Sequence, residues 1–357
     1  MRNQPLIRRT DSMAETIIGI DLGKLKFHVC VLDTNGHVER RRAYSRSAVM
    51  RFLANTPPAT VAMEACPGAH HLARKAASFG HDPLLLPAQY VKPYVKSQKN
   101  DTVDAEAIAE AASRPTVRER AVAIKPEERQ TLQLLHRQRS GWIGERTALG
   151  NRMRAMLLEF GIVLPKNLNR LRTGVPEVLE DADNGLPDRL RALIHDLYAD
   201  LKRLDARIEA LNAELTAFAR QDPLMQLLLT IPGIGPINGT ALLAGIGDAS
   251  QFRRGRDLAA WLGLVPRQHS TGGKTRLLGI SKHGNRHLRM MLIHGARAVL
   301  RVADKRAADD GLRRWVERIT ARKHANVAVV ALANKLARII CAVLQRRAPF
   351  AAAQVTG

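Results

Sequence analysis

Eight apolar residues, Leu190, Ile194, Leu197, Leu201, Leu204, Ile208, Leu211 and Leu215, follow one another at spacings of 4-3-4-3-4-3-4. Such a seam commits the stretch to one long α-helix, because only a helical repeat near 3.5 residues keeps all eight side chains on one narrow face. It predicts a coiled coil whose partner helix belongs to a second chain. The alternative is an amphipathic helix packed inside its own subunit, which calls for a wider apolar face than a strict seam provides. The seam also divides the chain, with strand-like patterns before it and mostly helical patterns after it.

Ahead of the seam, Ile17, Ile18 and Ile20 lead into Asp21, and after a short turn Phe27, Val29 and Val31 mark a returning strand. Asn35-Gly36 signals a tight turn before a third strand over 37–44. Helices over 47–55 and 70–79 alternate with strands over 60–65 and 83–87, and a further helix opens at Asp101. This β-β-β-α-β-α-β-α order predicts a mixed α/β sheet with flanking helices, the order of an RNase H-like domain. Residues 126–160 read as helical and Arg-rich, and 161–187, with Pro165, Pro176 and Pro187, as irregular. The expected layout is a tail over 1–15, an α/β domain with a helical extension over 16–160, and a linker and coiled coil over 161–222. A mostly α domain over 223–346 and a tail over 347–357 complete it.

Residues 223–247 carry no charge, a length that can span a bilayer. Pro223, Pro232 and Pro236 with Gly233, Gly235, Gly239, Gly245 and Gly247 break it into short helices around a turn, so no membrane span is expected. The run Thr230-Ile231-Pro232-Gly233-Ile234-Gly235-Pro236 has the form of a helix-hairpin-helix turn, whose backbone amides beside a helix start suit a phosphate. Residues 250–290 then hold nine Lys or Arg and one acid, Asp257. Among them lies a small-residue loop, Gln268-His269-Ser270-Thr271-Gly272-Gly273-Lys274.

Charge points to the partner. The chain carries 56 Lys and Arg against 33 Asp and Glu, a formal net charge of +23, which favours a polyanion. Cys30, Cys66 and Cys341 are scattered and form no Cys-x-x-Cys, which argues against a zinc knuckle or disulfide framework and for the cytoplasm. The first fifteen residues lack the apolar stretch of a secretory signal.

In so basic a chain, acids at strand ends need a reason. Asp21 and Glu64 each end an apolar run, and Asp101 and Asp104 open a helix. Carboxylates converging from two strands and a helix start can hold a hard divalent cation, Mg²⁺ or its substitute Mn²⁺, against a phosphodiester. Each acid also has a structural alternative: Asp21 as a turn cap, Glu64 as a paired strand-end acid, Asp101 and Asp104 as N-cap and N3 residues. Ser270 is a nucleophile only if something activates it. Arg267, His269, Lys274 and Arg276 flank it, His269 is open between general base and phosphate contact, and Ser281 is a rival. Lys282 and Arg286, with Gly233 and Gly235, complete the expected nucleic-acid contacts.

The chain resembles the insertion-sequence 110 transposases, in their 1111 subgroup. The resemblance rests on Gly19-Ile20-Asp21-Leu22-Gly23-Lys24, Met63-Glu64-Ala65-Cys66-Pro67-Gly68, Lys99-Asn100-Asp101 with Asp104-Ala105-Glu106, and Leu135-His136-Arg137. In the second half it rests on Ile231-Pro232-Gly233-Ile234-Gly235-Pro236, Gly263-Leu264-Val265-Pro266 running on to Lys274, and Gly279-Ile280-Ser281-Lys282-His283-Gly284-Asn285. It implies a RuvC-like DEDD domain with catalytic acids Asp21, Glu64, Asp101 and Asp104, and a C-terminal transposase domain whose nucleophile is Ser270. It further implies donor and target DNA as substrates, a structured element-encoded RNA as guide, and a homo-oligomer, a dimer or a tetramer during synapsis. Two readings compete: a junction-resolvase-like nuclease that uses water, and a non-catalytic nucleic-acid-binding protein.

Overall fold

The computed structural model describes residues 15–96, 101–303 and 310–351, with only the backbone of 101 and 102. The chain divides into two compact units between Pro126 and Glu127. The expected 1–15 tail lies outside the described residues except for Glu15, as does most of the C-terminal tail.

The first unit contains strands β1 (Ile17–Leu22), β2 (Lys26–Leu32) and β3 (Val38–Ser45), helix α1 (Arg46–Ala54), strand β4 (Thr60–Glu64), helix α2 (Ala69–Ser78) and strand β5 (Asp82–Leu86). Helices α3 (Ala88–Val91), α4 (Asp101–Ser113) and α5 (Pro115–Arg118) follow. The five strands form one sheet in the order β3-β2-β1-β4-β5. β1, β2 and β3 are antiparallel neighbours, whereas β4 runs parallel to β1 and β5 parallel to β4. This is the mixed α/β arrangement expected from the sequence.

Alternation sorts the strand residues onto two faces. Ile18, Ile20, Phe27, Val29, Val61 and Met63 pack with α1 and α2. Ile17, Cys30, Leu32, Ala62 and Leu86 face the other way, against the Ala-rich α4. A Cβ on Gly19 would stand 2.3 Å from the Ala105 carbonyl oxygen and 2.7 Å from the Ala109 Cβ. Only glycine lets α4 lie this close across β1, and that contact carries Asp104 to the site.

The second unit is mostly helical: α6 (Glu127–Leu158), α7 (Leu168–Glu180), α8 (Asp188–Gln221), α9 (Pro223–Leu229), α10 (Pro236–Ile246) and α11 (Gly255–Trp261). A hairpin of β6 (Pro266–Thr271) and β7 (Lys274–Ile280) follows, then α12 (Arg286–Arg301), α13 (Gly311–Thr320) and α14 (Ala325–Arg346). Its largest core joins Leu242, Leu258, Leu288, Leu292, Leu336 and Ile340. Among the described residues α14 alone is long and apolar enough to cross a membrane, and Leu332, Leu336 and Ile340 bury it in that core instead.

Two expectations change here. Residues 161–187 are not wholly irregular, because α7 runs through Pro176. A proline cannot donate to the carbonyl four residues back, that of Arg172. Tyr198 of α8 donates its hydroxyl to that carbonyl at 2.9 Å, so the helix continues.

The seam is covered within its own chain. α8 runs antiparallel to α6: Arg129 meets Asp222 at 2.7 Å, Arg139 meets Asn212 at 2.6 Å and Arg146 meets Asp205 at 3.1 Å, the partner descending α8 as α6 ascends. Ile194 and Leu201 are fully buried with Leu149, Met153 and Leu157, while Leu211 and Leu215 pack on Leu132. The coiled coil is therefore intramolecular, and α6 counts with the second unit. Leu201→Ala is expected to cost about 2–5 kcal/mol of stability, as cavity-forming core substitutions do. It should leave the sedimentation mass unchanged; a lower mass at unchanged denaturation midpoint would restore the inter-chain reading.

Candidate functional site

The parallel pairing of β1 with β4 ends at Ile20 opposite Met63, so Asp21 and Glu64 follow side by side at the same end of the sheet. Both lie on the α4 face, since each is two residues beyond a residue of that face, Gly19 and Ala62 respectively. Asp104, from the first turns of α4, joins them. Burial pushes the Glu64 carboxyl above the usual glutamate range, and the nearby charges of Asp21 and Asp104 push it further. The Cys66 thiol is likewise raised, by burial first and then by Glu64 and Asp21. Among the described residues neither Glu64 nor Asp104 has an ion-pair partner. Glu106 on the same helix is the contrast: it binds Arg41 and Lys96, and the Lys96 bond above all holds its carboxyl low.

Three of the four expected acids thus gather at one end of the sheet, near enough for the charges of Asp21 and Asp104 to raise Glu64. The side chain of Asp101 lies outside the described residues, although α4 begins at that residue. Among the described residues no three His, Cys, Asp or Glu are drawn together closely enough to ligate one ion. What fits a hard divalent cation is the chemistry: oxygen donors only, with no Lys or Arg neutralising Glu64 or Asp104.

Ser270 does not lie in a loop. It sits in β6 opposite Thr275 of β7, and Gly272-Gly273, with φ of 56° and 77°, forms the two-residue turn. The strand residues are exposed on both faces, so no apolar alternation betrays the hairpin in the sequence. Gln268 donates its side-chain amide to Ser270 Oγ at 2.8 Å, whereas His269 Nδ1 faces Thr271 Oγ1 at 3.4 Å. Alternation and pairing put Gln268, Ser270, Thr275 and Leu277 on one face of the hairpin and His269, Thr271, Lys274 and Arg276 on the other. His269 and these two cations are not on the serine's side. Arg267 is exposed in β6 beside a register shift.

The hairpin rises from a well-tied base. Ser281 donates its amide to Val265 and Lys282 to Gly263, and Arg289 binds the carbonyls of Leu262 and His283. Lys282 adopts a left-handed backbone, φ 57°, uncommon outside glycine. Arg286 is exposed at the first position of α12, which Asn285 caps.

A short turn joins α9 to α10, and its glycines are engaged in packing. The Gly235 amide donates to Asn238 Oδ1 at 2.6 Å, and Asn238 donates back to the Gly233 carbonyl at 2.7 Å. A Cβ on Gly233 would meet the Gly295 carbonyl of α12 at 2.6 Å. Sequence reasoning passed over one buried polar cluster: His136 Nε2 meets Thr240 Oγ1 at 3.0 Å, with His287 beside it. Burial pulls the His136 pKa down to about 4, leaving a neutral ring that ties α6 to α10.

Comparisons with known proteins agree with the geometry. A family model for the DEDD transposase of insertion sequence IS110 matches residues 18–162, and one described as "Transposase IS116/IS110/IS902 family" matches residues 225–310. A probable family 20 transposase of Pseudomonas aeruginosa is 47% identical over 92% of this chain and 96% of its own length. The transposase for insertion sequence element IS1328 of Yersinia enterocolitica is 43% identical over 91% of this chain and 95% of its own length. The transposase for insertion sequence element IS1111A of Coxiella burnetii is 40% identical over 96% of this chain and 93% of its own length.

Proposed function

Because this chain belongs to the IS116/IS110/IS902 family of insertion-sequence transposases, enzymes that cut and rejoin DNA, we propose that Asp21, Glu64, Asp101 and Asp104 form its metal site and that Ser270 is its nucleophile. The observation that carries the first half is Glu64, whose carboxyl is held above its usual range by burial and by Asp21 and Asp104. Carboxylates that raise one another in this way are charge crowding of the kind a divalent cation relieves. In this reading the first unit is a RuvC-like domain. Bound there, Mg²⁺ or Mn²⁺ supplies Lewis-acid neutralisation of the scissile phosphate.

The chain's own groups do the rest. Ser270 Oγ forms a bond to the scissile phosphorus as the bond from phosphorus to the neighbouring nucleotide oxygen breaks. The serine proton ends on the released hydroxyl, and Gln268 orients Oγ through its amide. Attack by a hydroxyl of a second DNA end on the phosphoserine reverses the chemistry, so strands are exchanged without loss of a phosphodiester. Arg267, Lys274, Arg276, Lys282 and Arg286 provide phosphate contacts around the hairpin. An element-encoded RNA selects donor and target by base pairing, so the protein needs backbone contacts more than base-reading side chains. The +23 charge and the 4% aromatic content fit that division of labour. Synapsis of two DNA ends calls for a homo-oligomer, a dimer or a tetramer, working in the cytoplasm.

One observation favours a second reading, a nuclease that uses water: the hairpin face bearing Ser270 is neutral, with His269, Lys274 and Arg276 on the other side. A cleavage assay on paired element ends tests both. Strand cutting should require Mg²⁺ or Mn²⁺, stop in EDTA, and depend on RNA transcribed from the element's flanks. Cutting at the wild-type rate in EDTA would remove the metal site from the proposal, and RNA-independent recombination would remove the guide.

A further inference from the structure

The sheet of the first unit has two unlike edges. β5 is closed, since the Val122 amide donates to the Leu85 carbonyl at 2.7 Å and continues the hydrogen bonding outward. Among the described residues β3 has no strand on its outer side, and Glu39, Arg40, Arg41, Arg42 and Ala43 are all exposed along it. An exposed edge strand invites pairing with any other strand unless charge blocks it. Three consecutive arginines do so here, at a cost in mutual repulsion that blocking the edge does not by itself require.

The arginines are sorted. Arg41 points to the α4 face and is held by Glu106. Arg40 and Arg42 alternate onto the opposite face, and Arg46 joins them from the start of α1. Each of these three lies over an aromatic ring: Arg40 is 5.9 Å from the Phe52 centroid, Arg42 5.4 Å from Tyr44 and Arg46 5.3 Å from Phe27. Tyr44 and Phe52 are themselves stacked at 5.1 Å. Among the described residues none of the three has a carboxylate partner. Packing against a ring restricts each side chain, so less freedom remains to be lost on binding an anion.

Their position relates to the carboxylates. Asp21 pairs with His28 across β2, and His28 pairs with Ala43 of β3. Two strand spacings, about 10 Å, therefore separate Asp21 from the open edge, at the same end of the sheet. Arg42 and Arg46 bracket that point along the chain, on the face of the sheet opposite the one that carries Asp21.

We infer that the β3–α1 edge is a docking surface for the double-stranded DNA flanking the cut, gripped without regard to sequence by phosphate contacts from Arg40, Arg42 and Arg46. The inference rests on the reading that DNA occupies the carboxylate site. Its test does not need that site to react. Binding of a mixed-sequence DNA duplex is measured in EDTA across a salt series, for the full chain and for Arg40→Gln/Arg42→Gln/Arg46→Gln, each with and without Asp21→Asn. Each lost phosphate contact flattens the dependence of log affinity on log salt by about one unit. The triple Gln variant is expected to bind at least about tenfold more weakly near 0.15 M salt, with a slope shallower by about 3. The triple Lys variant, which keeps the charge, should retain the slope. All proteins should keep the wild-type thermal midpoint within about 2 °C, since these are surface changes. Unchanged duplex affinity and slope in the Gln variant would overturn the inference. So would a Lys variant as weak as the Gln variant, which would make the rings' packing the cause, or a loss confined to an RNA hairpin tested in parallel. If Asp21→Asn fails to abolish cleavage, the metal-site reading falls while the binding result stands on its own.

Discussion

Glu64→Gln and Asp21→Asn each reduce strand cleavage by more than about 10³-fold, because each removes part of the charge that would hold a cation at the phosphate. Neither should unfold the chain. The sign for Glu64 follows from its raised carboxyl, lifted by burial and by Asp21 and Asp104 above an ordinary value of 4.5. The folded chain then holds this proton more tightly than the unfolded chain does. Stability therefore falls as pH rises from 4.5 through the raised folded value, and the loss is complete above it. At neutral pH without metal, the ionised Glu64 costs stability and the isosteric glutamine does not. Glu64→Gln should be inactive yet melt at or above the wild-type temperature in EDTA. Added Mg²⁺ should raise the midpoint of the wild type by mass action and leave the variant nearly unmoved. An active variant, or a wild type whose midpoint ignores divalent ions, would sink the shared-site reading independently of each other.

Ser270→Ala is expected to eliminate a denaturant-resistant protein–DNA adduct formed on a suicide substrate supplied with the cognate RNA. Ser281→Ala should leave that adduct in place. The two serines are close in sequence but differently built. Ser270 is exposed on the arm of the hairpin with Gln268 bonded to its hydroxyl, whereas the Ser281 amide helps tie the base to Val265. An adduct that survives Ser270→Ala, or whose peptide mass places it on another residue, refutes the assignment. Active enzyme that yields no adduct under any trapping condition makes water the nucleophile. Gln268→Ala should separate orientation from attack: adduct formation should slow by about 2–10-fold without disappearing, since one neutral hydrogen bond is lost and the hydroxyl stays.

Much of the first unit was legible because β1, β2 and β4 are largely buried on both faces and bounded by turn residues. The runs that end at Asp21 and Glu64 read as strands for that reason, and the acids stand out as polar groups where burial stops. The nearness of α4 was not legible, since it depends on Gly19 leaving no Cβ between β1 and the Ala105 carbonyl. The β6–β7 hairpin was read as a loop because both of its faces are wet, which removes the apolar alternation that marks a strand. α7 was missed because Pro176 breaks a helix by local rules. The hydroxyl that repairs the break belongs to Tyr198, on another helix.

By itself the sequence determined the periodicities, and with them the succession of strands and helices along the first unit, the long α8 helix, the strand-end positions of the acids and the excess of positive charge. Period and charge are properties of neighbouring residues, so no partner is needed to express them. Tertiary structure alone decided who completes each pattern. It placed α6 rather than a second chain on the seam of α8. Among the described residues it left Glu64 without a counter-ion while giving Glu106 two, and it turned His269 and its cations away from Ser270. These outcomes depend on residues far apart in the chain meeting at distances of a few ångströms, and no local rule of spacing encodes such meetings.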